Sequence, residues 1–143
     1  MGCAIQTNKG GMLSGSSYKR LARAYFEDLL NEGFFDSADQ IFSPNVQFHY
    51  PLGDLNGLGE VKNYLRAVRT AFPDIWFTVA DLIQEGDQVA ARWSLKGTQS
   101  GTFKDMPPTN QMVSVTGLTV FNFLNDLIVE MWVAFDPARL TGE

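Results

Sequence analysis

A chain of 143 residues with 45% apolar side chains, among them 11 Phe, 4 Tyr and 3 Trp, is long enough for one domain with one sizeable core and too hydrophobic to stay disordered. Its net charge of −5, with 11 basic residues dispersed along the chain, offers no basic footprint for a phosphate backbone or an anionic membrane, so neither nucleic acid nor membrane is an expected partner. One cysteine, Cys3, excludes an internal disulfide, and one histidine, His49, excludes a His-rich or Cys/His metal cluster, a composition that suits a reducing, cytoplasmic setting.

Residues 1–15, MGCAIQTNKGGMLSG, have neither the apolar core of a signal peptide nor the length of a membrane span. They are expected to form a mobile leader ahead of a single domain over 16–143. Gly2-Cys3 falls short of an acylation start, because Gln6 stands where Ser or Thr is required.

Ser16 or Ser17 can cap a first helix, in which Leu21, Ala24, Tyr25 and Leu29 recur at three- and four-residue spacing and which Gly33 ends. A short second helix is expected over Ser37 to Phe42, stopped by Pro44. Val46, Phe48 and Tyr50 then alternate with Gln47 and His49 as a short edge strand, and LGDLNG follows as a loop. Val61, Tyr64, Leu65, Val68 and Phe72 mark the buried stripe of a third helix, which Pro73 terminates.

From Asp74 the period becomes two. Ile75, Phe77 and Val79 alternate with Trp76, Thr78 and Ala80. After a turn at Gly86-Asp87, Val89, Ala91, Trp93 and Leu95 alternate with polar residues. GTQSGTFKDMPPTN, residues 97–110, is a long loop of Gly, Pro and small polar side chains. Val113, Val115, Gly117, Thr119 and Phe121 then mark one face of the next strand, and Asn125-Asp126 turns the chain into a last strand over Ile128 to Phe135. Helices first and an antiparallel meander afterwards predict an α+β fold: a curved, mainly antiparallel sheet packed on about three N-terminal helices. Most strands are apolar on both faces, so the helices cover one face and a partner subunit is expected on the other, as a homodimer through the sheet.

The run from Phe72-Pro73-Asp74 through Gly86-Asp87, Arg92-Trp93, Gly97-Thr98, Met106-Pro107-Pro108-Thr109 and Gly117 to Glu130, Trp132 and Asp136 resembles the SnoaL-like polyketide cyclases, or ester cyclases. They belong to the nuclear-transport-factor-2-like, ketosteroid-isomerase-like class of α+β cones. The likeness spans roughly Tyr18 to Leu140 and includes FHYP in the first strand and GLGEVKNYL at the third helix. It implies a cone-shaped pocket between sheet and helices, commonly in a dimer, that holds a small hydrophobic polyketide or terpenoid intermediate and closes rings by acid/base chemistry with no metal and no cofactor. It also places the Pro107-Pro108 loop near the wide end of the cone, where small stiff residues can shape an entrance without filling it.

Two positions depart from the family pattern. The founding catalytic carboxylate lies on the last strand, three residues before Asp136, and Val133 stands there; an alkyl group accepts no proton. Gln99 stands where the family often has His, and an amide does not titrate. His49 is then the leading candidate base, because its ordinary pKa lies near neutral; the alternative is that it points outward, since Val46, Phe48 and Tyr50 take the other strand face. Asp136 and Glu130, on one strand face with Trp132, are the next candidates, and a structural salt bridge or strand-end hydrogen bonds are their alternative. Tyr64 can donate to a developing oxyanion or be an ordinary core tyrosine. Gln99 and Thr119 are candidate orienting groups, Trp93 a candidate aromatic wall, and Met131, Val133 and Phe135 share the expected lumen face. The reading is a cofactor-free cyclase or isomerase. The alternatives are an epoxide-opening hydrolase or cyclase, which needs a carboxylate to activate the attacking oxygen and a second group to protonate the epoxide, and a binding and dimerisation module for small hydrophobic ligands, which needs no titratable pair.

Overall fold

The computed structural model describes residues 15–136 and 138–139, so the leader, apart from Gly15, and its Gly2-Cys3 start lie outside the described residues, as do the side chains of Ser16 and Ser17. Helix α1 runs over Gly15–Ala24 and passes directly into a π-helical segment, Tyr25–Asn31. Ala22, Tyr25, Phe26, Leu29 and Leu30 are buried, and pairs spaced by three or four residues form the stripe that faces the sheet. Gly33, with φ +76, ends the segment in the left-handed region that glycine adopts without strain. The carbonyls left over at that end are met by Arg69, whose guanidinium donates to Leu30 O at 2.6 Å and Asn31 O at 2.8 Å.

The expected second helix is shorter than its pattern. A 3₁₀ turn over Phe35–Ser37 leads into α2, Ala38–Ile41, and Phe42 already begins strand β1, Phe42–Tyr50. Pro44 therefore does not stop a helix. It sits inside β1 where the pairing with the neighbouring strand shifts between Phe42 and Gln47, so its missing N–H costs no regular ladder bond. The expected loop LGDLNG also contains a strand, β2, Gly53–Asn56, antiparallel to β1; β1 is thus not an edge. Helix α3, Leu58–Ala71, buries Val61, Leu65 and Val68, as its spacing predicts, and Ala71 with them.

The meander follows as β3 (Trp76–Glu85), β4 (Gln88–Thr98), β5 (Met112–Leu124) and β6 (Leu127–Ala134). Asn125 and Asp126, both at positive φ, make the last hairpin turn. The sheet is open, with order β2-β1-β6-β5-β4-β3, and only β1 and β6 run parallel. This is the α+β architecture, mainly antiparallel, that the sequence predicts. Irregularities at Val79/Asp81 and Asn122/Phe123 each insert one extra residue and keep the facing sets in step. Asp81 can thereby stand outside against Arg92 while Val79 and Leu82 pack against the core.

Phe26, Phe48, Phe121 and Met131 are fully buried between sheet and helices, each such side chain contributing about 1.5–3 kcal/mol by leaving water. Trp93 lies across the neighbouring strand over Gly117, its register partner, where a Cβ would collide with the indole and stand 2.7 Å from Ala134 O. At the free edge of β3, the Asn31 amide donates to Phe77 O at 2.9 Å and accepts from Phe77 N–H at 2.6 Å, so it occupies both backbone groups as a strand would. The opposite face of the sheet exposes Leu118, Trp132 and Ile83. No helix among the described residues is long and apolar enough to cross a membrane.

Candidate functional site

A cavity opens between the helices and the inner face of the sheet. The π-helical segment contributes Tyr25, Phe26 and Leu30 to its wall; α3 and the residue after it contribute Tyr64, Val68 and Phe72. The strands supply Phe48, Phe77, Trp93, Leu95, Thr119 and Val133, and Ile75, Phe103 and Phe135 close the wall from connecting segments. The space inside is about 50 Å³, room for a few waters at roughly 10–15 Å³ each.

Among the described residues the wall carries hydroxyls and one indole N–H but no carboxylate, imidazole, amine or thiol. Trp93 Nε1 donates to Thr119 Oγ1 at 2.9 Å, which leaves the threonine hydrogen free to donate elsewhere. The hydroxyls of Tyr25 and Tyr64 have no hydrogen-bond partner in the protein among the described residues. Burial pushes both phenols well above their ordinary pKa; Tyr50 beside Tyr64 adds to the rise there, and Tyr64 adds to that of Tyr25. Both are therefore neutral O–H donors at physiological pH, suited to an oxygen acceptor on a ligand and unsuited to taking its proton.

His49 lies elsewhere. Phe48 and Tyr50 point inward, so strand alternation turns the imidazole to the outer face, where Nε2 stands 2.7 Å from Glu130 Oε2 and Nδ1 3.0 Å from Asp54 Oδ1, and the protonated ring donates to both carboxylates. The ring stacks near Trp132, with centroids 5.7 Å apart. The hydrogen bonds to Glu130 and Asp54 raise its pKa, against a lowering from burial, and the charges of the two carboxylates add to the rise. Asp136 is exposed beside an outer groove shared with Arg92 and Leu118, and its Oδ1 accepts the Ala138 N–H at 3.1 Å.

Gln99 is buried but is not a wall residue. Its Nε2 donates to the carbonyls of Gly101, Met106 and Pro107, each at 3.1 Å, and its Oε1 is buried without a donor among the described residues. It shapes the 97–110 loop from within. Ser100 and Gly101 N–H groups anchor that loop's near end on Ala71 O, at the end of α3. The loop does more than frame an entrance, because Phe103 is driven into the cavity wall. Lys104 Nζ then donates to the Tyr50 hydroxyl at 2.9 Å.

The structure thus brings Tyr64, Trp93, Thr119, Val133 and Phe135 together on one wall, and places His49, Asp136 and Gln99 apart from it; Met131 is buried outside the wall. Sequence reasoning missed Tyr25, which reads as one more apolar residue of the first helical stripe. It also missed Phe103, whose signal was a lone aromatic in a Gly/Pro-rich loop. Among the described residues no group of three or more His, Cys, Asp or Glu could hold a metal ion.

A family model described as SnoaL-like polyketide cyclase matches residues 19–142. The chain belongs to the SnoaL-like polyketide cyclase family, and family and fold together support a cyclase or isomerase role in general. Among solved structures, a candidate SnoaL-like polyketide cyclase from Jannaschia sp. CCS1 is 21% identical, with 94% of this chain and 99% of that one covered and a TM-score of 0.82. TsrD from Streptomyces laurentii is 24% identical over 90% of this chain and 95% of that one, with a TM-score of 0.80. A SnoaL-like polyketide cyclase from Agrobacterium tumefaciens C58 is 24% identical over 86% and 94%, with a TM-score of 0.74. At these identities the likeness shows the fold. None of the curated proteins matches the chain.

Proposed function

We propose that this protein is a cofactor-free cyclase or isomerase for a small hydrophobic polyketide or terpenoid intermediate, and that it acts by polarising a carbonyl with the Tyr64 hydroxyl. The observation that carries this reading is that hydroxyl, neutral and without a protein partner among the described residues, on the wall of a cavity built mainly of hydrocarbon and aromatic surface. In such a setting an O–H donor aimed at a carbonyl oxygen strengthens as negative charge develops there, and surrounding low dielectric increases its effect. Trp93 and Phe135 offer flat surfaces that can hold a flexible chain folded. In a ring closure of this kind an enol carbon of the substrate attacks the polarised carbonyl carbon. The enol proton passes to the new alkoxide oxygen within the substrate or through water, so Val133 need not be a carboxylate.

The described residues put no base and no carboxylate on the wall, which favours a second reading, a carrier of hydrophobic ligands, over epoxide opening. The two surviving readings separate by Tyr64→Phe. With a bound naphthyl ketone, the carbonyl stretch in the infrared should move to lower frequency in the parent and return in Tyr64→Phe with binding retained. With a turned-over intermediate, the same change should reduce kcat by about 10²–10³. A carbonyl stretch indifferent to Tyr64 removes the polarising role. The proposed homodimer through the sheet rests on the exposed Leu118 and Trp132 of the outer face, and sedimentation of Leu118→Glu beside the parent tests it.

A further inference from the structure

We propose that Phe103 is a plug that the ligand displaces, and that Lys104, with Tyr50, receives an acidic oxygen group carried at one end of that ligand. The proposal rests on the reading of the cavity as a binding site.

Space comes first. About 50 Å³ holds a few waters, whereas pockets for drug-sized molecules run from about 300 to 1,000 Å³. A ligand with two fused rings therefore needs part of the wall to move. Most of the wall belongs to α3, the π-helical segment and the sheet, which are interlocked through the core. Phe103 is different. It comes from a loop whose backbone bonds beyond Gly101 are chiefly internal: Phe103 and Met106 bond each other, and Asn110 bonds Gln99. Its ring meets Tyr64 and Phe72 at centroid distances of 6.3 and 6.1 Å, surfaces that an apolar ligand could cover in its place. Exchange of one buried aromatic for another conserves most of the apolar contact.

Charge comes second. The loop's side-chain tether to the body is the ammonium of Lys104, which donates to the Tyr50 oxygen and lies 5.4 Å from the centroid of that ring. Among the described residues no carboxylate forms an ion pair with Lys104. The Tyr50 ring in turn packs 4.7 Å from that of Tyr64, so this ammonium stands one ring away from the cavity wall. A phenol is a weak partner for a cation. A carboxylate or enolate adds a full opposite charge to the bond, and Tyr50, no longer needed as acceptor, can donate its own O–H to the same group. Displacement of Phe103 also frees Lys104, its chain neighbour, to turn toward that group. The ligand class is then an amphiphilic acid: a ring or polyene body with a carboxylate or acidic enol at one end.

Fluorescence titration of the full chain with a naphthalene carboxylate and its methyl ester, at neutral pH, tests this. The acid should bind about tenfold more tightly than the ester. Lys104→Met should erase that preference without weakening the ester, Lys104→Arg should keep it, and Phe103→Ala should tighten both probes. Equal binding of acid and ester by the parent, or an acid preference that survives Lys104→Met, overturns the role of Lys104 and leaves the cavity reading intact. An ester affinity unmoved by Phe103→Ala and by the milder Phe103→Leu overturns the plug. Binding of neither probe by any of these proteins overturns the cavity reading and the proposal with it.

Discussion

The indole of Trp93 on β4 donates to the hydroxyl of Thr119 on β5, and it reaches there by lying across Gly117, its partner in the strand register. Absence of a side chain at one position thereby fixes an aromatic surface and a hydroxyl at two others. Gly117→Ala forces the indole or the backbone beside Ala134 to move. We expect a loss of about 1–3 kcal/mol in urea unfolding, and weaker binding of cavity probes in the fraction that stays folded.

Protonated His49 joins three strands, because it stands on β1 between Asp54 of β2 and Glu130 of β6. Its folded pKa is raised, so the protonated imidazole binds its proton more tightly in the native state than in the unfolded chain. That contribution is fully present below the unfolded value of about 6.5 and is lost as pH rises through the folded value. Thermal unfolding should show a melting temperature that declines across this window, and His49→Gln should flatten the decline. Cavity binding should not follow it, since the ring is on the outer face.

Asn31 closes the free edge of β3 by pairing with both backbone groups of Phe77. Replacement by Ala leaves a buried donor and acceptor without partners, at a cost of about 1–3 kcal/mol, and opens an edge to other chains. Light scattering during slow heating should report earlier and faster aggregation of Asn31→Ala than of the parent.

Gln99 donates to three loop carbonyls through one nitrogen. Gln99→Glu sets a carboxylate against those same acceptors, and the loop should open locally. Hydrogen exchange should then speed up at Met106 and Asn110 while the core of β4 and β5 keeps its protection. Unchanged exchange in the loop would mean that Gln99 does not organise it.

The fold was largely legible from spacing. The α3 stripe from Val61 to Val68 and the alternation of β4 and β5 report burial, which is what hydrophobic period encodes, while the turns at Gly86-Asp87 and Asn125-Asp126 are marked by their turn residues. β2 was not legible, because Gly53–Asn56 buries little and is held by backbone pairing that leaves no mark in side-chain type. The site was half legible. Val133, Phe135 and Thr119 follow from strand parity, and parity equally turns His49 outward. Tyr25 and Phe103 depend on where a π-helical turn and an irregular loop happen to aim a ring, and neither has a periodic signature.

Of the three tryptophans, Trp93 is 3% exposed while Trp76 and Trp132 are 54% and 40% exposed. The protein therefore carries its own optical reporter. An aqueous quencher such as iodide will darken the two outer indoles and spare the inner one, whose remaining emission should respond when a molecule arrives beside it, without any label being attached.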